Sequence, residues 1–255
     1  MRIGFIGAGT ITKAVIEGLE RAGKGGDIVV SHRSEAVSTE LARRFPRLRR
    51  ATNAEVAASS DIVFLAVRPT QVEEALSGVS FGPQHTLVSF VSGLSVDELA
   101  RIATRSKVGR VLPLPSIARG EGPILCYPAI DSVVALFEGL GDLIIPGSEA
   151  ELRAMGSVSG FMSTYFELQN ALIAWLVQSG VPADQASLYV RAILRGLSGT
   201  GYRTSDAELP GLPLEHETKG GLNQRVRQGL KDRGWFDQPA ECFREILNLN
   251  RASLK

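Results

Sequence analysis

RIGFIGAGTITKAVIEGL, residues 2–19, decides the fold. Arg2 to Ile6 reads as a short strand. Ile11 to Arg21 reads as a helix, with Ala14, Val15 and Leu19 forming an apolar stripe at helical spacing. Between them stands Gly7-Ala8-Gly9. The first glycine of such a turn permits the tight bend, and the second lets backbone come close to a pyrophosphate. The helix that follows offers free N–H groups and a partial positive charge to the same anion. The third small position of the pattern is Thr12, so some departure in how the helix packs on the strand is implied. A plain glycine turn in an α/β protein without a nucleotide is the competing reading of these residues.

A second strand, Asp27 to Ser31 (DIVVS), follows at the distance expected of a dinucleotide-binding unit. An Asp or Glu at its end would grip a ribose 2′-hydroxyl. This chain has Ser31-His32-Arg33-Ser34 instead. Small hydroxyls and a cation suit an anionic 2′-phosphate, so NADP(H) is favoured over NAD(H). Arg33 taken alone could equally be a solvated surface charge. Glu35 lies further on, in the next helix, and is not read as the ribose acid.

The first half continues the alternation. Glu35 to Arg44 is a helix, and Asp61 to Val67 (DIVFLAV) is a continuous apolar run, as in a strand covered on both faces. Thr86 to Val91 is another strand, Val96 to Ala103 a helix, and Val108 to Leu112 a further strand. Strands alternating with helices predict a parallel sheet with right-handed crossovers. From Glu151 onward no strand is legible. Met155 to Ser179 reads as one long helix and Pro182 to Leu197 as another, followed by glycine breaks at 199–201 and 220–221. Leu222 to Arg233 and Pro239 to Leu254 complete the set. The expected fold is therefore α/β, a Rossmann-type parallel-sheet domain over residues 1–150 that binds NADP. An all-helical domain over 151–255 follows it. The run LQNALIAWLV (Leu168 to Val177) is apolar nearly all round and must be covered. A helical domain of about 100 residues rarely does that alone. A homodimer or higher homo-oligomer is expected.

Bulk properties narrow the function classes. Of 255 residues, 44% are hydrophobic and 22% charged, which argues against disorder. The net charge of +1 gives no bulk electrostatic reason to expect nucleic acid or an anionic membrane. The cluster Arg43, Arg44, Arg47, Arg49, Arg50 reads as a solvated helix end and turn. The two cysteines, Cys126 and Cys242, lie far apart, and the three histidines are scattered, so neither a disulfide scaffold nor a metal site is expected. The longest apolar stretch, Ala171 to Val177, is far short of the roughly 20 residues of a membrane span. A cytoplasmic protein is the default expectation.

Further segments carry a resemblance. MRIGFIGAG, SHRS, DIVFLAVRPTQV, LVSFVSGLSVDEL and RVLPLPSIARGEG occur in this order. Together they resemble the pyrroline-5-carboxylate reductase family, enzymes that reduce a cyclic imine to proline. The likeness covers most of the first half and continues more weakly in SVSGFMSTY and ETKGGLN. Ala66-Val67-Arg68-Pro69 matches a family AVKP loop with Lys replaced by Arg. The resemblance implies that Ile6, Gly7, Ala8, Gly9, Thr10 and Ile11 line the pyrophosphate. Ser31, Arg33 and Ser34 would surround the 2′-phosphate, and Asn53 would lie near the adenosine. Ala66, Val67, Arg68 and Pro69, with Val91, Ser92 and Gly93, would wall the ribose and nicotinamide. For single residues such as Arg68 or Asn53, a plain turn is the alternative.

Three segments depart from the family. Its RxMPNTPA becomes Arg110-Val111-Leu112-Pro113-Leu114-Pro115-Ser116-Ile117, losing the Asn-Thr pair. Its SGSGPAY becomes Ser159-Gly160-Phe161-Met162-Ser163-Thr164-Tyr165. Its SPGGTT becomes Thr218-Lys219-Gly220-Gly221-Leu222-Asn223. These segments would build the substrate pocket, with Thr218, Gly220, Gly221, Leu222 and Asn223 binding substrate. Lost polar groups there leave a substrate's own polar atoms unpaired, which points to a different or enlarged substrate. Reducing a protonated C=N bond needs no strong acid from the protein, whereas a ketone would need a proton donor. Tyr165, Lys219 and Asn223 are the candidate catalytic groups; helix packing, a solvent-facing lysine and a structural amide are their plainer readings. Relatives that oxidise β-hydroxy acids carry a catalytic Lys in the corresponding helix, and no Lys occurs here from Gly156 to Ala207. The expected activity is NADPH-dependent reduction of a small-molecule cyclic imine, pyrroline-5-carboxylate first. The alternatives are an NADP-linked reductase of another imine or keto substrate, and a non-catalytic dinucleotide-binding protein.

Overall fold

A computed structural model describes residues 1–32 and 34–252. Arg33 and Ser253 to Lys255 lie outside the described residues, and with them the far end of the helix expected to reach Leu254. The strands are β1 (Arg2–Ile6), β2 (Asp27–Ser31), β3 (Leu48–Ala51), β4 (Ile62–Leu65), β5 (Thr86–Ser89), β6 (Lys107–Pro113), β7 (Pro123–Tyr127) and β8 (Asp142–Ile144). The helices interleaved with them are α1 (Thr10–Arg21), α2 (Glu35–Arg44), α3 (Asn53–Ala58), α4 (Val72–Leu76), α5 (Val96–Ile102) and α6 (Asp131–Phe137). Beyond the sheet come α7 (Glu149–Val158), α8 (Phe161–Gln178), α9 (Ala183–Arg203), α10 (Leu212–Glu215), α11 (Leu222–Lys231) and α12 (Gln238–Ala252). By internal contacts the chain forms two compact units, Met1–Gly156 and Ser157–Leu249.

In the first unit one sheet runs β3-β2-β1-β4-β5-β6-β7-β8. Its pairings are parallel except β6 with β7, which is antiparallel. The order reverses at β1, which has β2 on one side and β4 on the other. In open α/β sheets a ligand crevice forms at that switch, beyond the C-terminal strand ends. The period-2 alternation of strands splits the core in two. Ile3 and Phe5 of β1 join one apolar layer with Phe64 and Phe137; Ile6 joins the other with Val29, Val63, Leu65 and Leu87. Phe5, Phe64 and Phe90 form a stacked row, adjacent centroids on Phe64 being 5.0 Å away on each side. Glycine permits two close approaches, the end of α3 to β1 and the 3₁₀ turn Pro115–Arg119 to α1. A Cβ on Gly4 would meet Ser60 Oγ at 2.4 Å, and one on Gly18 would meet the Ile117 carbonyl at 2.7 Å.

The sequence reading missed β3, β7, β8 and the short helices α3, α4, α6 and α10, and the break it expected at 199–201 is absent, since α9 runs on through those glycines to Arg203. β3 carries Arg49 and Arg50 at its centre, which hid its strand character behind charge. The second unit, with no strand assigned among its described residues, is helical. The expected single helix from Met155 to Ser179 is in fact two. The chain breaks at Ser159-Gly160, where Gly160 N turns back to Ser157 O at 3.0 Å and Met162 N to Ser159 O at 3.2 Å, so the ladder of α7 does not run on into α8. α8 ends in a turn at Gly180, which takes φ +92°, a left-handed value that suits glycine. Val181 N bonds back to Leu176 O at 3.0 Å, and α9 starts after Pro182.

Candidate functional site

The residues at the switch point form a cavity of about 380 Å³. Its floor is the turn after β1. Gly7 has φ +107°, and a Cβ there would lie 2.3 Å from the Ala66 carbonyl oxygen, so only glycine fits both the backbone and the space. Gly9 is the N-cap of α1, and a Cβ on it would meet nothing within 4 Å. That open space is room for a ligand to touch backbone. No side chain caps α1 and no acid lies in its first turn. Its amide groups and partial positive charge are therefore left for an incoming anion.

Thr12, which breaks the small-residue pattern, is fully buried, and its hydroxyl donates to the Gly7 carbonyl at 2.8 Å. The extra bulk is thus turned into a brace for the turn. Next to it the Gly7 amide donates to Ser31 Oγ at 2.8 Å. That bond uses an acceptor site of the hydroxyl and leaves its own proton free to donate. Ser34 is the N-cap of α2, makes no side-chain cap hydrogen bond and lines the cavity.

The opposite wall comes from β4 and the segment after it. Ala66, Val67 and Arg68 line the cavity, and Arg68 N lies 3.4 Å from Gln71 Oε1 at the start of a short 3₁₀ turn led by Pro69. Arg68 is exposed and forms no ion pair among the described residues. Asn53 opens α3 beside Thr52, whose hydroxyl and Glu55 cap the helix reciprocally. The hydrogen bonds from Thr52 hold the Glu55 carboxyl below the usual carboxylate range. Asn53 Nδ2 donates to the Ala75 carbonyl at 2.8 Å, tying α3 to α4 at the cavity edge.

The sequence-predicted Gly7, Ala8, Gly9, Ser31, Ser34, Asn53, Ala66, Val67 and Arg68 thus meet around one space. Ile6 is fully buried beneath it, Thr10 and Ile11 form the first turn of α1, and Pro69 opens the 3₁₀ turn; none of these four lines the cavity. Val91, Ser92 and Gly93 follow β5 and do not line it either. Gln71 and Ala75 do line it and escaped the sequence reading. Pro69 with Gln71 two residues later was the available signal, a capped turn placed directly after a buried strand.

In the second unit the residues 216–223 make a preformed turn. Gly221 N bonds to Thr218 O at 2.8 Å, Gly220 N to Gln224 Oε1 at 2.7 Å, and Asn223 Nδ2 donates to the His216 carbonyl at 2.6 Å. Gly220 has φ +72°, and a Cβ on Gly221 would meet Thr218 Oγ1 at 2.2 Å. Glu217 is ion-paired to Arg227, whose hydrogen bond pulls its carboxyl below the ordinary range. Lys219 and Leu222 are exposed. Tyr165, on α8, is half-buried with its ring edge against Phe166. Asn223 thus spends its amide on the turn, which is the structural role weighed for it. No cluster of three or more metal-ligating side chains occurs among the described residues, and none of their helices is long and apolar enough to cross a membrane.

Residues 2–93 match the family described as NADP oxidoreductase coenzyme F420-dependent. The chain is 29% identical over 259 residues to a pyrroline-5-carboxylate reductase of Corynebacterium melassecola, covering 94% of this chain and 95% of that one. It is 27% identical to the enzyme of that name from Escherichia coli, covering 98% and 99%. The fold is that of a Plasmodium falciparum pyrroline carboxylate reductase solved with NADP bound, with a TM-score of 0.83 at 19% identity over 99% and 97% of the two chains.

Proposed function

We propose that the chain is a divergent member of the pyrroline-5-carboxylate reductase family and that it reduces pyrroline-5-carboxylate to proline with NADPH. It is an NADP-dependent oxidoreductase, and the observation that carries the reading is the cavity at the β1 switch point. Its floor is the Gly7-Ala8-Gly9 turn at the uncapped N-terminus of α1, and Ser31 and Ser34 line its β2 side with no carboxylate among the lining residues. That donor set fits two anionic groups, a pyrophosphate and a 2′-phosphate.

When bound, the reduced cofactor supplies the hydride. The protein's share is to hold and orient. The first turn of α1 and Gly9 would take the pyrophosphate, Ser31, Arg33 and Ser34 the 2′-phosphate, and Asn53 the adenosine edge. Ala66 to Arg68 and the loop 91–93 would bracket the other half. An iminium substrate brings its own proton, so the chain needs no strong acid at the reacting nitrogen. We assign residues 1–150 to the cofactor and 151–255 to substrate and assembly, with 218–223 at the substrate.

A homodimer belongs to this proposal. No residue of α8 is buried, although the helix carries Phe166, Leu172 and Trp175, with Trp175 64% exposed; α9 exposes Leu188, Tyr189, Ile193 and Leu197. An apolar surface of this extent calls for a partner, here a second copy of the chain.

Purified protein mixed with NADPH and pyrroline-5-carboxylate should consume the reduced cofactor's absorbance, with NADH in parallel the poorer donor. Leu114-Pro115 favours a second reading, a different imine. No side-chain donor stands at either position, and Pro115 has no N–H. Turnover of another cyclic imine in place of pyrroline-5-carboxylate would support that reading. NADPH binding without turnover of any imine would overturn both.

A further inference from the structure

We propose that Arg110 and Glu149 form a positioning pair that fixes the loop between β5 and α5, and through it the reactive end of the cofactor. The proposal rests on the cofactor site argued above. Arg110 lies on β6 directly opposite Ser89 of β5 and is 3% exposed. A guanidinium has five N–H donors, and one this deep in the protein needs partners for them. Its Nη1 donates to Glu149 Oε1 at 2.9 Å. Its Nη2 reaches the Val91 carbonyl oxygen at a long 3.5 Å. Its Nε is buried with no hydrogen-bond partner.

A pair kept for stability alone is a poor bargain in this state. Apolar side chains of similar volume generally do as well or better than a partly satisfied buried ion pair. The geometry suggests what the pair does instead. Glu149 Oε1 also accepts from the Val96 amide at 3.1 Å, in the first turn of α5. Ser89 Oγ accepts from the Val91 amide at 3.0 Å. Two cross-strand neighbours, Ser89 and Arg110, thus hold the N–H and the C=O of a single residue, Val91. Glu149 holds the other end of the same loop at Val96. Between these anchors run Ser92, Gly93, Leu94 and Ser95, with Gly93 at φ +83°.

The placement of that loop gives the clamp its meaning. Ser31 and Ser34, which would hold the 2′-phosphate, lie on the β2 side of β1, and the pyrophosphate would lie at β1 itself. The remaining half of an extended dinucleotide must run the other way, across β4 toward β5. Adjacent strands are about 4.8 Å apart, so the end of β5 lies roughly 10 Å from the phosphate turn, within reach of that half. The loop at that end is the one Arg110 and Glu149 tie down. They touch no ligand themselves; they set the height of the residues that would.

The test compares the full-length wild type with Glu149→Gln and with the double replacement Arg110→Met with Glu149→Leu, which removes both charges together. Calorimetry measures affinity for NADPH and for 2′,5′-ADP, a probe that carries the adenosine and 2′-phosphate but no nicotinamide. Loss of NADPH absorbance with pyrroline-5-carboxylate, or with whichever imine turns over, gives kcat. The double variant should melt near the wild type and keep its affinity for 2′,5′-ADP. Its NADPH affinity should fall roughly tenfold, as expected for lost hydrogen bonds. Its kcat should fall roughly a hundredfold, as a displaced reactive group does. Glu149→Gln, which keeps the shape and one acceptor, should show the same pattern more weakly and serves alone if the double variant does not fold. Equal losses for both ligands, or unchanged NADPH affinity and kcat, would overturn the positioning role. Failure of 2′,5′-ADP to bind the wild type would instead overturn the cofactor-site reading beneath it.

Discussion

The amide of Gly7 donates to the hydroxyl of Ser31 at 2.8 Å, and this bond makes the turn after β1 and the end of β2 one rigid corner. Ser31 is 1% exposed and Gly7 half-buried, so removing the hydroxyl leaves the Gly7 amide without its side-chain partner. Ser31→Ala should lower stability by about 1 kcal/mol, the net worth of an ordinary hydrogen bond. It should also weaken NADPH binding, because the proposed cofactor site puts both phosphate subsites at this corner. Thermal melts with and without NADPH check both, and a variant that melts like the wild type would deny the bond its structural role.

Ser34 separates stability from cofactor choice. It is the N-cap of α2 without a cap hydrogen bond, and it lines the cavity. Ser34→Asp should preserve or raise stability, since Asp is a good N-cap and favours a helix N-terminus. The same carboxylate would face an anionic 2′-phosphate. NADPH affinity should fall about tenfold or more while NADH is little affected, because like charges brought together are strongly unfavourable. Steady-state KM for the two cofactors, measured side by side, decides the point.

His85 links stability to pH. It is buried, its Nδ1 accepts from the Gly82 amide at 2.9 Å, and its ring edge meets Phe81. Desolvation by burial lowers its pKa below the ordinary 6.5. The folded state therefore binds this proton less readily than the unfolded chain. The contribution is fully present above pH 6.5 and is lost as pH falls through the lowered value. Melting temperatures from pH 8 to pH 5 should drop at the acid end. His85→Gln should shrink that drop, and an unchanged profile would remove His85 as its cause.

The two cysteines should differ sharply toward a thiol reagent. Cys126 is buried, and desolvation raises its pKa from 9.0 to about 11, whereas Cys242 is exposed. The thiolate is the reactive form. One thiol should label in the native protein and the second only after denaturation. Rapid labelling of both would mean that the sheet opens around β7.

The fold was legible where side-chain pattern and backbone demand coincide. Gly7 and Gly9 between a β-run and an amphipathic run could be read directly, as could the wholly apolar β4. β3 was not legible, because Arg49 and Arg50 occupy its centre and charge masks a strand at a sheet edge. The division between α7 and α8 was missed because Ser159-Gly160 sits among helix-compatible residues, and its turn is set by bonds to Ser157 and Ser159. At the site, the Gly7–Gly9 turn and the end of β2 follow from the glycine motif, and Asn53 and Ala66 to Arg68 from the family resemblance. Gln71 and Ala75 were not, since they reach the cavity through a 3₁₀ turn and α4, which have no periodic signature of their own. Thr12 shows the limit most plainly. The sequence marked it as a departure, but only the structure supplies the hydroxyl's partner, the Gly7 carbonyl.

Both tryptophans of the chain, Trp175 and Trp235, lie in the helical unit. Intrinsic fluorescence is therefore an optical reporter blind to the sheet and sensitive to the helices. With Trp175 64% exposed on α8, a lone chain should emit at the red, water-exposed end of the indole range. Pairing of two copies over that helix would move the emission to the blue. A spectrum that shifts on serial dilution would report association directly, with no label and no substrate.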